Sequence, residues 1–340
     1  MKKVSVQDAV GLTLCHDITK VVPGEFKGRA FRRGHVIRPE DVEELKKLGK
    51  EHIFVWEENA GEIHEDEAAV RIAQAVGGAN ITYTQPQEGK TLLQATIRGL
   101  LKINSALLRE INSIESITVT CRPNNYPVHP GDKVAAGRII PLVIKEDKLK
   151  QLEELCQAQE PVFQVRPYKK LKVGIVITGN EVFTGRIEDK FGPVINKKLQ
   201  AYETEILGQV YCPDVITRLD EAVASFLRQK ADLIILTGGM SVDPDDLTPG
   251  AIKNSGAEVI TYGAPIQPGN MFMLAYKGQT ALIGVPGAAI YFPTTVLDVI
   301  LPRIFAGDII TKEDFIRLGE GGLCLGCEVC TYPRCYFGRG

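Results

Sequence analysis

The sequence carries almost no excess charge of either sign. Across 340 residues, 40 Lys and Arg face 42 Asp and Glu, a formal net charge of -2. So balanced a chain has no global electrostatic attraction to nucleic acid or to acidic membranes. No long apolar run follows Lys2 and Lys3, so no secretory signal is expected. Residues 278–297 lack charged side chains, but Gly278, Gly284, Pro286, Gly287 and Pro293 interrupt them. A buried strand, turn and helix is the expectation there, not a membrane span. A cytoplasmic protein is therefore expected. Histidine is scarce: His16, His35, His52, His64 and His129 are dispersed, without metal-ligand spacing. Internal repeats and low-complexity segments are missing. What remains is a globular composition, 44% hydrophobic and 24% charged, long enough for about two domains.

Residues 1–60 read as a small α+β unit. Pro39-Glu40-Asp41 opens a helix with Val42, Leu45 and Leu48 on one face, and Gly49 ends it. Ile53 to Trp56 reads as a strand, with Trp56 in the core. Residues 61–157 form a mixed region with a β-rich end. Helices are expected over 65–76, with Ala69, Ile72, Ala73 and Val76 inward, over about 91–102, and over 148–157. Residues 158–170, with Pro161 and Pro167, read as a linker.

From Leu171 the pattern changes. Val173 to Ile177 and Leu233 to Leu236 are short continuous apolar runs, the mark of strands buried on both faces. Helices are expected over 194–207, 220–229, 248–255 and 288–305. Strands are expected over 210–216, 257–261, 271–276 and 280–285. This alternation predicts a three-layer α/β/α domain over 171–310 with a mostly parallel sheet, followed by a cysteine-rich C-terminal tail over 311–340.

Both buried strands run into small polar residues: Thr178-Gly179-Asn180-Glu181 and Thr237-Gly238-Gly239-Met240-Ser241. Ligands on open parallel sheets bind beyond the carboxyl ends of strands, where glycine admits close backbone approach and free amides hold anions. The same glycines also serve tight strand-to-helix turns. Asp243, Asp245 and Asp246 follow the second loop. They fit Mg2+ held through one or two carboxylates, or N-capping before Thr248-Pro249.

Cysteines are uneven. Cys15, Cys121, Cys156 and Cys212 are scattered, whereas Cys324-x2-Cys327-x2-Cys330-x4-Cys335 brings four together. Four thiolates suit an iron–sulfur cluster or tetrahedral zinc. The spacing is close to ferredoxin-type runs, and it lacks the long loop between Cys pairs that zinc sites commonly have.

These motifs carry a resemblance. Thr178-Gly179-Asn180-Glu181 with Gly185, Ile187 and Asn196 resembles the first motif of the molybdopterin-binding domain family. Thr237 to Val242, with Asp246 and Thr248, resembles the second. Pro268-Gly269 and Gly284-Val285-Pro286-Gly287 resemble the third and fourth. That family includes molybdopterin adenylyltransferases and molybdenum insertases of cofactor biosynthesis. The resemblance implies that Thr178, Gly179, Asn180, Thr237, Gly238, Gly239, Met240, Ser241, Asp245, Pro268, Gly269, Pro286 and Gly287 receive a pterin phosphate or nucleotide. It implies catalytic roles for Asp246 and Glu181. A molybdoenzyme client and a homo-oligomer, a dimer through front domains, are also implied. The motifs depart from the insertase type: Gln267 and Asn270 stand where lysines flank the third motif, Val194 replaces an acidic residue, and Ala288-Ala289 replaces Asn-Pro. Losing two cations weakens stabilisation of developing negative charge. Lys197-Lys198, after Asn196, are candidates to replace them. Three functions therefore stand at this point: molybdopterin nucleotidyl or molybdenum transfer, a non-catalytic carrier, sensor or insertion partner, and a nucleotide pyrophosphatase acting on ADP-ribose. The last follows from Pro244-Asp245-Asp246-Leu247-Thr248, which resembles the competence-damage-inducible family.

Overall fold

The computed structural model describes residues 1–22, 24–55, 57, 60–241, 243 and 246–339. Trp56 and Asp245 lie outside the described residues. The chain divides into two compact units, one of residues 1–96, 103–122 and 130–164, the other of 97–102, 123–129 and 165–340.

In the first unit, β1 (Lys2–Ser5) pairs antiparallel with β4 (His52–Val55). Between them in sequence come the hairpin of β2 (Ile18–Val22) and β3 (Phe26–Phe31) and helix α1 (Asp41–Lys47). Val6, Leu14, Ile37 and Leu45 fill the core of this region. β5 (Glu62–His64) then leads into α2 (Glu65–Val76). The inward face of α2 is Ala68, Ala69, Ile72, Ala73 and Val76, as the helical spacing predicts. Next come β6 (Ile81–Tyr83) and β7 (Lys90–Ala95).

Residues 91–102 are not the expected helix. They form β7 and β8 (Gly99–Ile103), separated by a bend. Helix α3 (Ser105–Ser113) follows instead. β9 (Ile117–Cys121), β10 (Tyr126–Val128), β11 (Lys133–Ile139), β12 (Val143–Lys145), α4 (Glu146–Gln157) and β13 (Phe163–Pro167) come next. Strands β6-β7-β11-β9 make a four-stranded antiparallel sheet, and β5 pairs with β12. β13 falls inside residues 158–170 and joins a three-stranded sheet of order β10-β8-β13.

The second unit is built on β14 (Leu171–Thr178), β15 (Thr204–Cys212), β16 (Leu233–Thr237), β17 (Glu258–Tyr262), β18 (Met273–Lys277) and β19 (Thr280–Val285). Their order is β15-β14-β16-β19-β18-β17. The first four are mutually parallel, while β18 runs antiparallel to both of its neighbours, β19 and β17. Successive side chains of a strand point to opposite faces. Val173, Ile175, Ile177, Leu233, Ile235 and Ile283 accordingly enter one core. Val176, Ile234, Leu236 and Leu282 enter the other. The first core is closed by residues of α6 (Phe191–Leu199) and α10 (Val296–Phe305), the second by residues of α7 (Ile216–Arg228) and α8 (Thr248–Asn254). Burying one such side chain contributes roughly 1.5–3 kcal/mol, so a sheet covered on both faces is the stable arrangement for these runs. Short helices α5 (Asn180–Phe183) and α9 (Ala288–Tyr291), and α11 (Lys312–Arg317), join these strands, and the second unit also includes β10 and all of β8 but Ile103.

Two expectations change here. The helix of 194–207 ends at Leu199, and β15 starts at Thr204. The helix of 288–305 is two helices, α9 and α10, because Pro293 cannot donate a backbone hydrogen bond and Thr295 with Asp298 caps a new start. Among the described residues, no helix is long and apolar enough to cross a membrane.

Candidate functional site at the carboxyl ends of the parallel strands

β14, β16 and β19 are adjacent and parallel, so their carboxyl ends fall on one edge of the sheet. Thr178-Gly179, Thr237-Gly238-Gly239 and Val285-Pro286-Gly287 are therefore brought side by side. The contact between the first two loops is tight. A Cβ on Gly238 would lie 2.3 Å from the Thr178 carbonyl oxygen, and Gly238 has φ +85°. Only glycine meets both demands. Gly284 meets another: a Cβ there would lie 2.4 Å from Met240 Sδ. The fourth motif thus leaves room for a buried side chain of the second.

A cavity of about 450 Å³ opens at this edge. Gly238, Gly239, Met240, Ser241, Asp246, Gly269, Pro286 and Gly287 line it, joined by Phe191, Asn270, Met271 and Ala288. The volume lies within the range of small-molecule sites, roughly 300–1,000 Å³. The second loop is held by its carbonyls. Thr248 Oγ1 donates to the Gly238 oxygen at 2.7 Å, and the Thr248 amide donates to the Gly239 oxygen at 3.3 Å. Among the described residues, the amides of Gly239, Met240 and Ser241 donate no hydrogen bond. Asp243 and Asp246 are tied together: the Asp243 amide donates to Asp246 Oδ2, and the Asp246 amide to the Asp243 oxygen, both at 3.0 Å. The Tyr262 hydroxyl donates to the Ser241 oxygen at 3.2 Å. Burial first, then the Asp246 carboxylate, pushes the Tyr262 phenol above its ordinary value. Thr237 is fully buried, and its hydroxyl has no partner among the described residues.

The first motif is placed differently. Thr178 Oγ1 donates to Asp214 Oδ1 at 2.9 Å, and the Asn180 amide donates to Asp214 Oδ2 at 2.9 Å. Asn180 Oδ1 in turn accepts from the Asp214 amide at 3.1 Å. Asp214, which follows β15, thus takes up polar groups assigned from sequence to a ligand. Glu181 is exposed on α5 and does not line the cavity. Pro268 lines a second cavity, of about 400 Å³, which shares Gly269, Asn270 and Ala288 with the first. Lys198 does not replace the missing cations: its Nζ is bound to Asp298 at 2.6 and 2.8 Å and to the Pro293 oxygen. Lys197 is exposed and outside the lining. No Lys or Arg among the described residues lines the first cavity.

Sequence reasoning misses Asp214 because it places the residue inside a strand over 210–216. With β15 ending at Cys212, the strand-end rule that finds the glycine loops finds Asp214 too. Phe191 and Met271 carry no sequence signal of their own, and Asn270 is marked in the sequence only as the residue in place of a lysine.

Cys324, Cys327, Cys330 and Cys335 are free thiols that line one further cavity, of about 290 Å³. Among the described residues, no three His, Cys, Asp or Glu side chains converge closely enough to hold a metal ion. Neither Asp243 with Asp246 nor the four cysteines form such a group.

A doubly wound α/β domain with a ligand-sized cleft at adjacent strand ends is the class that fold and site define. Residues 174–306 match, within that class, the family described as "Probable molybdopterin binding domain". Residues 3–57 match a domain of unknown function. A molybdopterin molybdenumtransferase of Synechococcus elongatus is 24% identical over 176 residues, 49% of this chain and 44% of that protein. A CinA-like protein of Mycobacterium tuberculosis is 36% identical over 77 residues, 23% of this chain and 18% of that protein. The chain thus spans less than half the length of these curated relatives. Among solved structures, the tungsten cofactor synthesizing protein MoaB from Pyrococcus furiosus aligns with 21% identity and a TM-score of 0.35, over 41% of this chain and 95% of that one.

Proposed function

We propose that the second unit binds the phosphorylated pterin of the molybdenum cofactor in the cleft of about 450 Å³, and that it holds or hands on this ligand without turning it over. The match of residues 174–306 to a molybdopterin-binding family supports a role in molybdenum cofactor biosynthesis. The observation that carries the finer reading is the second loop. Its carbonyls are fixed by Thr248, while the amides of Gly239, Met240 and Ser241 are unclaimed among the described residues and border the cleft. Backbone amides in such a loop are donors for a phosphate. Phosphoryl and nucleotidyl transfer require more, because negative charge develops and must be neutralised by cations. The lining supplies no Lys or Arg among the described residues. Asp246 is the one carboxylate of that lining among the described residues, and Mg2+ typically joins one or two carboxylates to substrate phosphates. Any Mg2+ at Asp246 would therefore depend on the bound phosphate. A holding role implies a molybdoenzyme client.

The test is titration of the full chain with molybdopterin, with and without ATP and Mg2+. Binding heat with no nucleotide consumed is the expected result. Release of pyrophosphate or AMP would make the chain an enzyme and overturn the holding role. The 36% identity to a CinA-like protein favours a second reading, a nucleotide pyrophosphatase. Hydrolysis of ADP-ribose with no heat from molybdopterin would establish it.

A further inference from the structure

The four clustered cysteines lie outside residues 174–306 and play no part in the pterin reading. Their segment is nevertheless built into the second unit. The Gly338 amide donates to the Gly321 oxygen at 2.9 Å, closing residues 321–338 into a loop. Phe337, 2% exposed, belongs to the core of the sheet, and Cys324, Tyr332 and Cys335 pack against that core. The Tyr332 hydroxyl donates to the Asp298 oxygen at 3.1 Å, near the start of α10. Held this way, all four cysteines are among the residues that line one cavity of about 290 Å³, with no three of their side chains converged as metal ligands. Its other walls are largely apolar, among them Phe292, Leu325 and Tyr336.

The same loop joins the pterin cleft. The Gln267 amide donates to the Gly322 oxygen at 2.8 Å, and the Cys324 amide returns a bond to the Gln267 oxygen at 2.9 Å. Gln267 immediately precedes the Pro268-Gly269 motif. Cys324 also lines the cavity that adjoins the pterin cleft along Gly269, Asn270 and Ala288. The cysteine cavity is therefore one peptide bridge away from a wall of the candidate ligand site.

We propose that Cys324, Cys327, Cys330 and Cys335 together hold one thiolate-ligated metal centre, and that this centre stiffens the Gln267–Asn270 wall of the cleft. Four cysteines on the walls of one largely apolar cavity supply the donor set of tetrahedral zinc and of a four-iron cluster alike. The hydroxyl of Thr294, 3.2 Å from Cys330 Sγ, is the kind of outer partner that orients a metal-bound sulfur. Cys327 and Cys330 are exposed, and Cys324 and Cys335 are seated on the core. Metal binding closes the exposed pair onto the seated pair, with loss of the thiol protons to solvent.

The experiment uses the full chain, purified without oxygen from cells supplied with iron and zinc. About one zinc, or about four iron with four inorganic sulfide, is expected per chain. Visible absorbance marks the iron case, and its lack with zinc present marks the other. Cys327→Ser and Cys330→Ser each lower retained metal about tenfold or more, at exposed positions where the fold is kept. Cys121→Ser, an exposed cysteine of the first unit, leaves retention unchanged. Adding zinc to stripped protein slows hydrogen exchange at the Gln267 and Cys324 amides. Failure of the chain to hold either metal, or full retention in both serine variants, overturns the metal centre. Unchanged exchange at Gln267 overturns the stiffening. The proposal rests on the pterin reading only for what the stiffened wall touches. Metal content and exchange are measured without pterin, so either reading can fail while the other stands.

Discussion

Asp214 does at the first loop what a bound anion was expected to do. Its carboxylate accepts from the Thr178 hydroxyl and the Asn180 amide, both at 2.9 Å. The loop is thereby held in shape beside Gly238, whose missing Cβ leaves room for the Thr178 carbonyl. Hydrogen bonds to a charged acceptor contribute roughly 1.5–3 kcal/mol each when buried, and the Asn180 end is exposed and worth less. Asp214→Ala is expected to destabilise the second unit by about 2 kcal/mol, lowering its Tm by about 4–8 °C. Calorimetry of the two proteins checks this; an unchanged Tm would show that the carboxylate does not hold the loop. The glycines of the site were legible because strand-end loops and missing side chains leave a trace in local sequence. The Asp214 partnership was not, since Asp214 and Thr178 are 36 residues apart and meet only through strand pairing.

Elements whose burial follows one period were readable. α2 lies where its spacing puts it. Residues 91–102 satisfied two periods at once. Leu93, Ile97, Leu100 and Leu101 recur at helical intervals, yet Thr91, Leu93 and Ala95 are buried in strict alternation. Pairing of β7 with β11 and β6 decides between them, and that pairing is non-local. The start of α2 also hid a device. His64 is its N-cap: Nδ1 accepts from the Asp66 amide at 3.2 Å, and Nε2 donates to the Cys15 oxygen at 2.8 Å. This arrangement needs the neutral ring with its proton on Nε2. Burial, then the Arg33 charge, lowers the His64 value below 6.5, against opposing effects of the Cys15 carbonyl, Asp66 and Glu67. In the window between that lowered value and 6.5 the unfolded chain binds more protons, so stability rises with pH and is lost as pH falls through it. Buried Glu65 has the opposite sign from 4.5 upward, because its folded value is raised. Denaturant titrations of the first unit's transition are expected to show stability falling from about pH 7 toward about pH 5, and His64→Asn is expected to flatten that slope. An identical slope in the variant would assign the pH dependence elsewhere, with His16, also lowered by burial, as the next group to test.

For the molecule as a whole, charge is the informative quantity. The net charge is -2, and the cleft has no Lys or Arg among its described lining residues. An anionic pterin held by backbone amides is bound through short-range hydrogen bonds, which salt screens little, whereas a lysine-dependent site weakens as the Debye length shrinks. Pterin affinity is therefore expected to change by less than about threefold between about 50 and about 200 mM salt. Lys197→Ala should leave it unchanged, since that side chain is exposed and outside the lining. Lys198→Ala should lower stability instead, by freeing the Asp298 carboxylate that both pairs with Lys198 and caps α10. Fluorescence titrations at several salt concentrations separate these cases. A steep loss of affinity with salt, abolished by Lys197→Ala, would put a cation back in the site and with it the electrostatic means for phosphoryl chemistry. A flat response leaves main-chain donors as the grip, and binding rather than turnover as what the cleft is shaped to do.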